Sequence, residues 1–257
     1  MRRTLMAALV LSGAVTAGAE EQVFEKAFSL EGVTRVSVEN VNGRIDAAAW
    51  DKNYLKVRAV KKASGSDAEE TLHATEIRVK KEENEITIET ISPKRRKLFG
   101  VFDFGDRHAQ VDYEIKIPAN METRFETCNG RVEVLGLEAA TACDAVNGGI
   151  TVRDAAGPVK ATTVNGSVRI EFRGAFKASH LETVNGSVEV VFDRTAGMDY
   201  RLETVNGRIE GSNIDLDVEG KYGPREARGS WNGGGEMLRC ETINGSIRLK
   251  ASDLASK

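Results

Sequence analysis

The stretch "LETVNGSVEVVF", residues 181–192, returns almost word for word as "LETVNGRIE" from Leu202 and "CETINGSIRL" from Cys240. Repetition at this scale marks stacked copies of one small unit, each too short to bury its own apolar face. The Asn-Gly pairs of this repeated phrase begin at Asn42, Asn129, Asn147, Asn165, Asn185, Asn206 and Asn244. From Asn129 the steps are 18, 18, 20, 21 and 38 residues, and the last reads as two steps of 19 with one degenerate copy between.

Counting from each Asn as zero, slots +3 and +5 are apolar: Val132 and Val134, Ile150 and Val152, Val168 and Ile170, Val188 and Val190, Ile247 and Leu249. The +4 slot between them is polar, as in Glu133, Arg169 and Glu189. Alternation with period two is the mark of a half-buried strand. Before the Asn, slot −4 is apolar and slot −3 mostly acidic (Glu39, Glu126, Asp144, Glu182, Glu203, Glu241), so a second strand precedes the turn. Valine at slot −1 breaks the polarity pattern and predicts a bend or bulge there.

Two architectures use such a unit. In a hairpin meander each Asn-Gly is a type I′ turn; in a β-solenoid it is a corner, and successive copies stack in parallel. A two-residue hairpin would set Glu182 against Glu189 and Glu203 against Glu210, and like charges directly opposite are destabilising. The parallel stack also aligns the acids, but slot −5 on the same face offers Arg124, Lys160, His180, Arg201 and Arg239 as neighbours. This favours the solenoid. The pairs Asn129-Gly130, Asn147-Gly148, Asn165-Gly166, Asn185-Gly186, Asn206-Gly207 and Asn244-Gly245 then form a turn ladder. Glycine supplies positive φ at the corner, and the stacked amides bond from rung to rung.

The first residues, "MRRTLMAALVLSGAVTAGAEEQ", carry Arg2 and Arg3, an apolar run from Leu5 to Val15 and the small triplet Ala17, Gly18, Ala19. These predict a secretory signal peptide over 1–19, with a mature chain of 20–257. The run is too short for a membrane span. With Arg2 and Arg3 removed, 36 basic residues become 34 against 39 acidic ones, a formal charge of −5 that argues against a nucleic-acid binder. The 25 glycines, four prolines and short Val, Ile and Thr runs favour strands over helices.

The N-terminal signal, "VSVENVNGRIDAAAW" (36–50), "DYEIKIPANMETRFETCNGRVEV" (112–134) and the tandem "VNGSV" copies together resemble the bacterial putative-adhesin family (domain of unknown function 4097) of envelope proteins. The family's feature of a strand ending in Ile-Pro ahead of a Gly-containing repeat is met at Ile117, Pro118 and Gly130. The resemblance covers most of the mature chain and implies an all-β fold, a right-handed parallel β-solenoid. It brings no catalytic residues with it.

Residues 61–109 depart from the repeat, whose tandem copies occupy about 121–251, and read as an inserted arm. Within it "SDAEETLHA" suits a short helix and "EIRVKKEENEITIET" two strands about a turn near Glu83 and Asn84. Next, Lys94, Arg95, Arg96 and Lys97 precede Phe99, Phe102 and Phe104. One reading is an arm packed on the stack; the other is a loop for an anionic partner or membrane surface.

Cys128, Cys143 and Cys240 are an odd number without a C-x-x-C pair, and Cys143 and Cys240 occupy the apolar −4 slot, which predicts burial rather than a disulfide framework. His73, His108 and His180 have no metal-ligand spacing. "DLDVEGKYGPRE" (215–226) places Asp215, Asp217, Glu219, Gly220 and Glu226 at calcium-loop positions, yet Leu216 and Val218 alternate as in a strand, so no metal site is assigned. With no catalytic or cofactor motif found, the expectation is an exported, non-catalytic binding or scaffolding module of the periplasm or cell surface. Its partner would be an envelope protein, a glycan or a membrane surface. A regulatory partner of an envelope stress or transport complex, and a polysaccharide-acting β-helix enzyme, are the alternatives.

Overall fold

A computed structural model describes residues 10–12, 19–92, 109–220 and 223–253. The recurring unit is two strands meeting at an Asn-Gly corner. It occurs as β3 (Arg35–Asn42) with β4 (Ile45–Trp50), β9 (Glu122–Asn129) with β10 (Val132–Leu135), and β11 (Thr141–Asn147) with β12 (Ile150–Ala155). It continues as β13 (Val159–Asn165) with β14 (Val168–Phe172), and β15 (Ser179–Asn185) with β16 (Val188–Asp193). The last two are β17 (Met198–Asn206) with β18 (Ile209–Ser212), and β21 (Met237–Asn244) with β22 (Ile247–Ser252). The first strand of each unit joins one sheet and the second joins the other. Equivalent strands pair in parallel and in register, Asn129 with Asn147, Asn147 with Asn165, Asn165 with Asn185. The chain is thus all-β, with two large mixed sheets of eleven strands each.

Period-two alternation decides which residues fill the space between the sheets. One sheet contributes the +3 column Ile45, Val132, Ile150, Val168, Val188, Ile247 and Ile209, and the other the −4 column Val38, Phe125, Cys143, Ala161, Leu181, Cys240 and Leu202; every member is buried. Fully burying such an aliphatic side chain contributes about 1.5–3 kcal/mol. Alternation also runs on through slot −1, where Thr183 is buried and Val184 half-exposed, while Val146, Val164 and Val205 are exposed. The break in alternation expected at slot −1 is therefore corrected, since the valines take the outward position, while the parallel ladders pair slot −2 and the Asn but skip slot −1 in each rung, a local irregularity of the kind expected there.

The corner glycines need a second correction. Only Gly43 has positive φ, at 117°. The others are required by close approach of neighbouring rungs: a Cβ on Gly166 would lie 2.1 Å from the Gly148 carbonyl oxygen, and one on Gly186 1.9 Å from that of Gly166.

Stacking order departs from chain order near both ends. β7 (Glu85–Ile91) lies parallel to β3, and β8 (Gln110–Pro118) parallel to β4, so they form a rung ahead of the one made before them. At the other end β21 lies between β15 and β17, and β22 between β16 and β18. The 38-residue step is therefore not two ordinary steps around a degenerate copy. The intervening residues instead make β19 (Val218–Glu219) and β20 (Arg225–Trp231), antiparallel strands laid outside β17. Arg194 anchors the crossing into β17: its N–H donates to the Ser252 carbonyl (3.0 Å), and its carbonyl accepts from Trp231 Nε1 (3.2 Å).

The first end is closed by β5 (Tyr54–Ser64), antiparallel to β8, then by β2 (Ala19–Ser29), antiparallel to β5; β1 (Val10–Ser12) pairs with the outer side of β2. β6 (Glu76–Glu82) closes the other sheet against β7, and α1 (Ala68–Ala74) buries Ala68 and Leu72.

Candidate functional site

The outward face of the sheet containing β3, β9, β11, β13, β15, β21 and β17 displays slots −5, −3 and −1 as three parallel stripes. In-register parallel pairing places equivalent side chains beside one another at every strand spacing, about 4.8 Å. The cationic stripe runs through Arg124, Lys160, His180, Arg239 and Arg201 to Arg228 on β20; Ala142 interrupts it between Arg124 and Lys160. The acidic stripe runs through Glu39, Glu126, Asp144, Glu182, Glu241 and Glu203 to Glu226, with Thr162 in the β13 place. Its crowding is felt at Glu39, whose carboxyl is raised by burial first and by Glu126 and Glu89 next.

Neighbouring stripes largely neutralise one another. Arg124 contacts Glu126 and lies 3.2 Å from Asp144, Arg201 contacts Glu203 and lies 3.5 Å from Glu226, and Arg239 is 3.4 Å from Glu241. These partners are substantially exposed, and such pairs contribute at most about 1 kcal/mol each. Lys160 is the exception: it is exposed and makes no ion pair or hydrogen bond among the described residues, because Thr162 occupies its rung's acidic slot. It lines an open trough of about 590 Å³, together with Arg35, Arg124, His180 and Arg239. A second trough of about 490 Å³ lies under β19 and β20, where Glu182, Glu203, Glu219 and Glu226 surround the aliphatic Val184, Val205 and Ile243.

At the edge of this face the asparagines form a continuous chain. Asn129 Nδ2 donates to Asn42 Oδ1 (2.7 Å), Asn147 to Asn129 (2.9 Å), Asn165 to Asn147 (2.8 Å) and Asn185 to Asn165 (2.8 Å). Asn244 then donates to Asn185 (2.8 Å) and Asn206 to Asn244 (2.9 Å). Glycines 130, 148, 166, 186, 207 and 245 complete the corners. Just inside, buried Thr163, Thr183, Thr242 and Thr204 donate to the glycine carbonyl of an adjacent rung at 2.8–2.9 Å. That threonine column was not singled out from the sequence, although Thr recurs two residues before Asn in "LETVNG" and "CETING".

Lys94, Arg95, Arg96, Lys97, Phe99, Phe102 and Phe104 lie outside the described residues. Cys143 and Cys240 are buried, and burial pushes both thiols up; Cys128 is exposed. In the string from Asp215, Leu216 and Val218 pack partly against the core while Asp215, Asp217 and Glu219 face outward. No group of three or more metal-ligating side chains gathers among the described residues. No described helix is long and apolar enough to cross a membrane.

No protein-family model and no curated protein matches the chain. Among solved structures it is similar to a putative cell adhesion protein from Clostridium sporogenes, at 12% identity and a TM-score of 0.46, covering 91% of this chain and 100% of that one. It is similar also to a putative adhesin from Bacteroides fragilis, at 10% identity and a TM-score of 0.41, covering 90% and 97%. A putative lipid binding protein from Parabacteroides distasonis gives 9% identity and a TM-score of 0.37, covering 91% and 97%. These likenesses do not bear on which ligand the striped face takes.

Proposed function

We propose that the chain is an exported, non-catalytic binding module of the putative-adhesin type, acting in the periplasm or at the cell surface, and that its rungs form a right-handed β-solenoid. A general rule supports this hand: parallel strands of one sheet joined by a crossover are right-handed in nearly all proteins. Export rests on Arg2, Arg3, the apolar run and the Ala17-Gly18-Ala19 site, which set the mature start at Glu20, the second residue of β2.

The observation that carries the binding reading is the unpaired Lys160 within a cationic stripe that borders an open trough. A stripe of basic side chains on successive strands, broken once at Ala142, suits an elongated polyanion, and an acidic glycan has the matching chemistry. The basic and aromatic segment from Lys94 to Phe104 is the second proposed contact.

Binding of the exported chain to a uronic-acid or sulfated polysaccharide at low salt tests this. Lys160→Glu should weaken binding about threefold or more and replacement of Lys94, Arg95, Arg96 and Lys97 by Ser should weaken it further, both effects fading as salt screens the charges. Parent affinity in both variants, or no binding by the parent, overturns the reading. N-terminal sequencing of the exported protein tests the start at Glu20.

A further inference from the structure

Each sheet has two outer edges, and three of the four are poor templates for another chain. β18 has four residues; β19 has two and, among the described residues, leaves only the short run Arg228–Trp231 and Arg225 of β20 uncovered; the seven of β6 include Glu76, Arg78, Lys80, Lys81 and Glu82. Short or heavily charged edges resist strand addition. β2 is different: eleven residues long, it pairs with β5 along its whole length. On its outer side, among the described residues, β1 covers Gln22, Val23 and Phe24 alone. That edge accepts an antiparallel strand, and β1 lies within the segment whose removal the export reading requires.

We propose that the exported chain forms a two-fold dimer by antiparallel pairing of β2 with β2 of a second copy. The proposal rests on the export reading for the loss of β1. Residues directly opposite in an antiparallel pair share a face, so the two-fold axis must fall on a residue rather than between two. In the exported chain β2 keeps Glu20–Ser29, and an axis at Phe24 overlaps Glu20–Phe28. Glu21 then stands opposite Ala27, Gln22 opposite Lys26, Val23 opposite Glu25, and Glu20 opposite Phe28. No like charges meet. Moving the axis to Val23 sets Glu21 against Glu25, and moving it to Glu25 sets Glu25 against itself. Charge thus favours the Phe24 register over its neighbours, and it brings the buried Phe24 of each copy together so that the apolar layer runs on across the junction. This self-complementarity is what an isologous interface requires, and it selects a second copy as the occupant.

Sedimentation equilibrium of the exported chain, residues 20–257, should show a concentration-dependent dimer. Ala27→Glu, at an exposed position, sets a carboxylate opposite Glu21 at two symmetric places and should weaken the dimer about fivefold or more without lowering the melting temperature. Adding Glu21→Lys should restore it. A parent that stays monomeric overturns the proposal, as does an Ala27→Glu dimer of parent strength or one that Glu21→Lys does not rescue. Met1 retained on a cytoplasmic protein would sink the export reading while the sedimentation of residues 20–257 still decided the pairing.

Discussion

At the corners, single atoms decide what is tolerated. Gly166→Ala would press a Cβ into the Gly148 carbonyl oxygen at 2.1 Å, and because both are backbone the rungs themselves must separate. Overpacking of this kind costs typically 1–3 kcal/mol, so the variant should lose about 3 kcal/mol in denaturant unfolding. Asn165→Ala removes exposed amide bonds and should lose only about 1 kcal/mol. The repeated Asn-Gly words made the amide chain legible in the sequence. The reason for the glycines was not, because close approach between rungs is a property of stacking distance rather than of local conformation. Asp112 adds a pH-dependent element beside the first corner. Burial would raise its carboxyl, but hydrogen bonds from Gln110 and the Arg44 N–H, with the charges of Lys62 and Arg44, hold it below the ordinary aspartate value. A lowered value stabilises the fold above the unfolded-state pKa, and that contribution is lost as pH falls through the folded one. Asp112→Asn should therefore cost about 1–2 kcal/mol at pH 7, with the gap closing as the solution is taken below about pH 4.

Within a strand, alternation separates neighbours by energy. Val188 is buried in the +3 column, whereas Glu189 points outward and pairs with Arg169 at 2.5 Å. Val188→Asp strands a carboxylate between the sheets and should cost several kcal/mol. Glu189→Lys should cost about 1 kcal/mol or less, since it loses a surface pair. Thermal melts of the two variants check the contrast; equal melting temperatures would overturn the inward assignment. The inward columns were readable because period two needs only the polarity of alternate residues. The outward aliphatic position before each Asn was misread, since valine is ordinarily a core residue and nothing in one rung reveals that its neighbours expose a valine too. The short helix and the strands either side of Glu83 were readable from local composition. The edge position of β19 and β20 was not, because antiparallel attachment to β17 is a long-range choice.

Across the whole molecule, the repeat announced stacking but not stacking order. "LETVNG" at 202–207 and "CETING" at 240–245 each offer a buried apolar residue at slot −4, the same inward threonine, the same corner and the same amide, so either fits beside β15, and only the intervening length and β20 place the later copy first. Truncation after Asn232 removes β21 and β22, leaving β17 and β18 without parallel neighbours. Such a chain should lose the cooperative unfolding of its C-terminal third, seen as early hydrogen exchange in β17. Asn185 waits for Asn244, 59 residues later, before its side of the amide chain is continued. Until β21 and β22 are in place, the stack therefore lacks a course between β16 and β18, and Asn206 has no link to the amide chain that ends at Asn185. A chain held short of that length can build its early rungs but cannot join its last one to them.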